Sequence, residues 1–124
     1  MANQPPSVSK IKSEQQLFMR CMEQLLHFVY SMDWTSEGYT SVELRAGDFW
    51  RPDRKGHMPN SQHYDRCAGD LILDVDGVYI QDSFHPVYLR MGTFWEAMDP
   101  KCRWGGRFRP PDGNHFSITD GLHS

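Results

Sequence analysis

The 124-residue chain is poor in the features that would settle its class at once. It has only three cysteines, Cys21, Cys67 and Cys102, and no Cys-x-x-Cys pair. An odd, scattered set is neither a disulfide framework nor a cysteine zinc site. Cys21 and Cys102 are expected to be small buried hydrophobes. No run approaches the ~20 apolar residues that a membrane-spanning helix needs. The first ten residues are polar and lack the apolar stretch of a secretory signal, so synthesis in a cytosol and no membrane insertion are expected. There is also no basic stripe: 13 Lys and Arg stand against 16 Asp and Glu, a formal charge of −3, so a nucleic-acid footprint is not supported. No repeat or low-complexity block interrupts the chain.

The hydrophobic content of 39% and aromatic content of 13% exclude global disorder. The length gives one domain, large enough for a core without staples. Residues 1–10 read as a flexible tail, 11–118 as the domain and 119–124 as a second tail. Ser13 and Gln16 have the spacing of a capping box. Behind them Leu17, Phe18, Cys21, Met22, Leu25, Leu26 and Val29 recur every three or four residues, which predicts an amphipathic helix to about Ser31. Val42, Leu44 and Ala46 alternate, as in a short strand. A polar loop runs from Arg51 to Asn60. Asp76-Gly77 between Leu71–Val75 and Val78–Ile80 is a type I′ hairpin signal. Asp74-Val75-Asp76-Gly77 is not a calcium loop, since Gly sits at the fourth position and His85 at the twelfth. Pro86 suits the first turn of a second helix, ended by Asp99-Pro100, and His85 suits its cap. A last short strand is expected near His115–Ile118. The order helix, strand, hairpin, helix, strand predicts an α+β fold with two main helices and a small antiparallel sheet.

Two stretches carry chemistry. Pro59–Leu71 holds His63 and Asp70; Trp104–Ser117 holds Asp112 and His115. A hydrolytic zinc needs three protein ligands and one position left for water. His63, Asp70 and His115 offer two neutral nitrogens and one carboxylate, which leaves the ion a net positive charge to acidify that water. Asp112, three residues before His115, stands where a turn can hold a general base beside the metal. Arg51, at the head of the polar loop, can act as a fixed cation for a developing oxyanion. Cys67 is a competing ligand four residues after His63, but oxygen and nitrogen already complete the set. A lone His is more often a satisfied polar residue, and an Asp before a strand is often a turn former.

The residues also carry a resemblance. Ser61-Gln-His63-Tyr-Asp-Arg-Cys-Ala68-Gly-Asp70-Leu71 resembles the S-x-H-x-x-G-x-A-x-D-L motif of the M15 zinc metallopeptidases. That family comprises D-Ala-D-Ala carboxypeptidases and dipeptidases and the phage L-alanyl-D-glutamate endopeptidases that cut peptidoglycan peptides. Trp104-Gly-Gly106, followed by Asp112-Gly-Asn-His115-Phe116, is similar to its closing W-G-G…D-x-x-H-F signature. Phe49-Trp50-Arg51-Pro52 is similar to the segment with its active-site arginine. The similarity spans residues 24–118. It implies the hedgehog/DD-peptidase-like fold, His63, Asp70 and His115 as Zn2+ ligands, Asp112 as catalytic base and Arg51 as substrate or transition-state cation. It also implies a substrate or supporting contact for Ser61. Among the aromatics Trp95, Trp104, Phe108 and Phe116, expected as core and pocket wall, Trp104 is the one expected to shape the cleft. Three departures stand out: Arg66 where Gly is usual, Gly69 before the ligand Asp, and Asn114 for the common Pro.

The resemblance implies a monomeric zinc peptidase of bacterial cell-wall stem peptides, an endolysin of a phage or prophage. It would be made in the host cytoplasm, then released by a holin or carried in the particle. Two other readings stay open: a D-Ala-D-Ala carboxypeptidase of the same family, and a non-catalytic phage structural or wall-binding protein. A different amide hydrolase using the same residues is a third.

Overall fold

Apolar residues at helical spacing produce the first element, α1 (Val8–Ser31), which buries Phe18, Cys21, Met22, Leu25 and Val29 along one stripe. The computed structural model describes residues 8–49 and 67–119. The helix starts at Val8, so Ser13 and Gln16 lie inside it and do not form its cap, and it reaches back into the stretch expected to be a tail. A 3-10 turn, Trp34–Glu37, follows; the Asp33 side chain accepts from Thr35 N, and Gly38 closes the turn in the left-handed region at φ 94°. The buried Trp34 ties the turn back to the helix through an Nε1 hydrogen bond to Val29 O of 2.7 Å.

The strands are β1 (Val42–Ala46), β2 (Ala68–Val75), β3 (Val78–Ile80), β4 (Cys102–Trp104) and β5 (His115–Ile118). All pair antiparallel, in the order β1-β2-β5-β4, with β3 also on β2. Strands β3 and β5 share one edge of β2: β5 covers Ala68–Asp70 and β3 covers Leu73–Val75. In the gap between them the buried Tyr88 hydroxyl donates to Leu71 O (3.0 Å) and accepts from Leu73 N (3.2 Å). Those two backbone groups are thereby satisfied without a strand. Burial pushes the Tyr88 phenol up to about 12.

The β2–β3 hairpin turns through Asp76 (φ 51°) and Gly77 (φ 79°), the two positive values a type I′ turn requires. Asp76 also accepts from Thr40 N and Ser41 N, each at 2.8 Å, locking the start of β1 to the hairpin tip. The second helix, α2, spans Pro86–Met98 with Pro at its start and His85 Nδ1 accepting from Val87 N at 3.1 Å. β4 was not expected; three residues carry no alternation of their own, and only pairing with β5 defines it. Thr119, placed in the C-terminal tail by composition, donates its N–H to Lys101 O at 2.8 Å.

Alternation divides the sheet into two faces. Leu71, Leu73, Val75, Trp104, Phe116 and Ile118 face the helices and are buried. Across this layer Trp95 of α2 meets Phe116 (5.7 Å, edge-on) and Phe18 of α1 (5.9 Å), while Phe28 and Phe94 stack at 4.4 Å between the helices. The α+β class, two main helices and small antiparallel sheet are as the sequence predicts. The opposite face of the sheet carries Asp70, Asp74, Arg45, Arg103 and His115.

Candidate metal centre

Register makes the site. Asp70 on β2 stands directly across from His115 on β5. The Asp70 backbone spends both its groups on the other neighbour, donating to Asp48 O (2.9 Å) and accepting from Gly47 N (2.7 Å). Asp70 and His115 are therefore a non-hydrogen-bonded pair, the geometry in which Cα atoms approach to about 4.5 Å and side chains crowd together. Accordingly, His115 Nδ1 lies 3.6 Å from Asp70 Oδ1, with both side chains mostly buried.

Asp112 arrives through a β-turn. Its carbonyl accepts from His115 N at 3.1 Å and its own N–H donates to Gly105 O at 2.8 Å, so the backbone is held at both ends while the carboxylate is exposed. The buried Trp104 donates from Nε1 to Gly113 O at 2.7 Å, gripping the turn from behind. Gly113 in turn donates to Ser83 Oγ at 2.9 Å. Gly105 is small for a local reason: a Cβ there would lie 2.1 Å from Asp112 O and 2.7 Å from His115 Cβ. Gly92 and Gly106 sandwich the Trp104 indole, where added Cβ atoms would fall 2.1 Å and 2.2 Å from it. The Trp-Gly-Gly run is thus a support that lets the turn approach the sheet. Trp104, expected to shape the cleft, instead acts from the core, at 1% exposure.

One ligand atom from each of Asp70, Asp112 and His115 lies within 4.8 Å of the others, a group able to hold a metal ion. Two carboxylates this close disfavour each other's charge, and a divalent cation between them removes that penalty. An imidazole nitrogen among the donors favours a transition-series ion or zinc over calcium or magnesium. The donor set therefore fits a metal. Asp112 comes as near as the other two, although the sequence suggested a carboxylate beside the metal and not on it.

Arg51, Ser61, His63 and Arg66 lie outside the described residues. The described residues nearest to them in sequence lie beside the site. Gly47 and Asp48 hydrogen-bond to Asp70, and the Phe49 ring lies so close to Gly69 that a Cβ there would meet it at 2.6 Å. Glycine at position 69, a departure from the resemblance, is thus matched by an aromatic ring packed on it. Cys67, at the other end, is wholly buried in the core cluster. Cys21 and Cys102 are buried with their sulfurs 3.7 Å apart, and burial raises both thiols above their ordinary range.

Two further residues contribute, of which sequence reasoning missed the second. The Phe108 ring tilts against His115 at 5.2 Å between centroids and walls one side of the imidazole. Tyr88 props β2 beside Asp70 and helps to line a polar cavity of about 180 Å³ with Tyr79, Gln81, Ser83, Asp112 and Asn114. A Tyr at helical spacing in α2 reads as core; nothing local marks its hydroxyl as the partner of two backbone groups of β2. Another cavity, about 400 Å³ along α1 and α2, is lined by none of the described candidate site residues. No model of a known protein family matches the chain, and no curated protein matches it.

Proposed function

We propose that the protein is a zinc-dependent peptidase acting on the stem peptides of bacterial peptidoglycan, with an M15-type site. The observation that carries this reading is the direct pairing of Asp70 with His115 across β2 and β5, with the Asp112 carboxylate brought to the same point by the turn. Asp70 and the Asp112–His115 turn, far apart in sequence, come together in space, which supports the roles that the two-motif resemblance assigns. In this reading His63, Asp70 and His115 hold the zinc. Bound there, the ion supplies the positive charge that acidifies water and polarises a peptide carbonyl.

Asp112 is the proton carrier. Its backbone is pinned and its carboxylate is open to solvent, so it can take a proton from water and return it to the leaving amine without rebuilding the turn. Phe108 and the buried Asp70–His115 pair keep one flank of the site dry, which strengthens the charge interactions within it. Arg51 balances the negative charge that develops on the carbonyl oxygen. Ser61 contacts substrate or orients a ligand.

Mass spectrometry of defined muropeptides treated with the zinc-loaded protein tests the reading. Fragments with a new N-terminal D-Glu are expected; free D-Ala would instead assign the carboxypeptidase. Protein that binds no stoichiometric zinc and releases no fragment of either kind would overturn the enzyme reading in favour of a wall-binding protein. Asp112→Ala should lower turnover about 10²–10⁴-fold. Full activity in that variant would remove Asp112 from the mechanism.

A further inference from the structure

Three described arginines near the sheet and helices are neutralised: Arg45 by Asp74, Arg90 by Glu37 and Arg107 by Glu96. Arg20 and Arg109 are exposed. Arg103 differs from both groups. It is half-buried, and among the described residues its guanidinium has no carboxylate; its contact is the Phe108 ring, 5.1 Å below it.

Its position is set by register. Arg103 on β4 stands across from Ser117, which stands across from Ala68, while the next row carries His115 and Asp70. Residues 115 and 117 share a face, so Arg103 belongs to the face of the metal donors, one row away, roughly 7 Å along the strands. Phe108 spans the interval. One contact of its ring is the Arg103 guanidinium; another is the His115 imidazole, at 5.2 Å. A cation held on an aromatic face keeps a fixed direction while its N–H fork stays available.

We propose that Arg103 is the carboxylate anchor of the site, taking a free carboxylate of the bound peptide in a forked hydrogen-bonded pair. This inference rests on the peptidase reading for its substrate. Arg is suited to the task because its planar N–H pair matches a carboxylate in two parallel bonds. A half-buried cation gains more from such a partner than a solvated one does. The alternative role, a background charge offsetting Asp70 and Asp112, would act on every substrate alike.

The experiment uses two stem peptides that differ only in whether the D-glutamyl α-carboxylate is free or amidated. The zinc-loaded wild type should prefer the free acid. Arg103→Met, which keeps a long apolar stem on Phe108, should lower kcat/KM for the free acid by about 10–100-fold, through KM, as expected for losing a charged hydrogen-bond pair. It should leave the amidated peptide unchanged, and Arg103→Lys should recover part of the preference. Equal handling of both peptides by the wild type, or an equal loss on both in Arg103→Met, would overturn the proposal. If neither peptide is cleaved, the same pair is titrated by NMR against zinc-loaded protein. Selective binding of the free acid that Arg103→Met abolishes would uphold the anchor while sinking the peptidase; unselective binding or none would sink the anchor as well.

Discussion

Asp70 and Asp74 sit on one strand, on one face, and end up in opposite chemistry. Asp74 faces Arg45, which donates from Nε at 2.7 Å and from a terminal nitrogen at 3.0 Å. That pairing holds the Asp74 carboxyl below its ordinary range. It is a surface ion pair, decorated by Arg45 over the Tyr79 ring. Asp70, two alternations earlier, faces an imidazole and a second carboxylate instead. The residue type is the same and so is the strand; the partner strand decides. Where β1 and β3 flank β2, the carboxylate meets a cation of the chain. Where β5 flanks it, the carboxylate joins a donor set that suits a cation from outside.

Substitutions at the two positions should separate most sharply. Asp70→Asn is expected to lower metal affinity and the proposed peptidase activity at least about a hundredfold, the upper range even for a residue that only supports a ligand. Asp74→Asn should stay within about twofold on both, as exposed ion pairs contribute little. Equal effects in ITC and turnover assays would erase the distinction. Next come two glycines. Gly105→Ala should destabilise the fold by about 1–3 kcal/mol and weaken metal binding, because its Cβ drives into the Asp112 turn. Gly77→Ala meets nothing within 4 Å but stands at φ 79°, so about 1–2 kcal/mol of backbone strain is expected, with unchanged metal affinity. Thermal melts with and without zinc check both.

Tyr88 bridges the two halves of the β2 edge through its hydroxyl. Tyr88→Phe should cost about 1–3 kcal/mol by leaving Leu71 O and Leu73 N unsatisfied. The folded phenol ionises at about 12 against an ordinary 10.0, so the unfolded chain loses its proton first. Its contribution is therefore complete below pH 10 and fades as pH rises toward about 12. Denaturant midpoints of the wild type should decline across that window more than those of Tyr88→Phe.

Strong local signals were the legible ones. Pro86 opening α2, Asp76-Gly77 at the hairpin and the strand at His115–Ile118 each follow from a few neighbouring residues, and all three appear in the fold. The start of α1 did not, since Ser13-x-x-Gln16 has a capping spacing yet sits within the helix. Strand β4 and the Tyr88 bridge depend on partners distant in sequence. At the site, Asp70, Asp112 and His115 were legible as residue types in two motifs. Their convergence was not, because it depends on a register that places residue 70 against residue 115. The role of Gly105 was likewise hidden: only the position of the Asp112 carbonyl shows why no side chain fits there.

β2 and β5 build a candidate metal centre from Asp70, His115 and the Asp112 turn. Calorimetric titration of zinc into apo-protein, with the His115→Ala variant alongside and circular dichroism on both, tests it directly. One zinc per chain in the wild type, lost in His115→Ala while the spectrum stays that of the folded α+β protein, is the predicted result. No zinc binding by the folded wild type, or binding that survives His115→Ala undiminished, would contradict it.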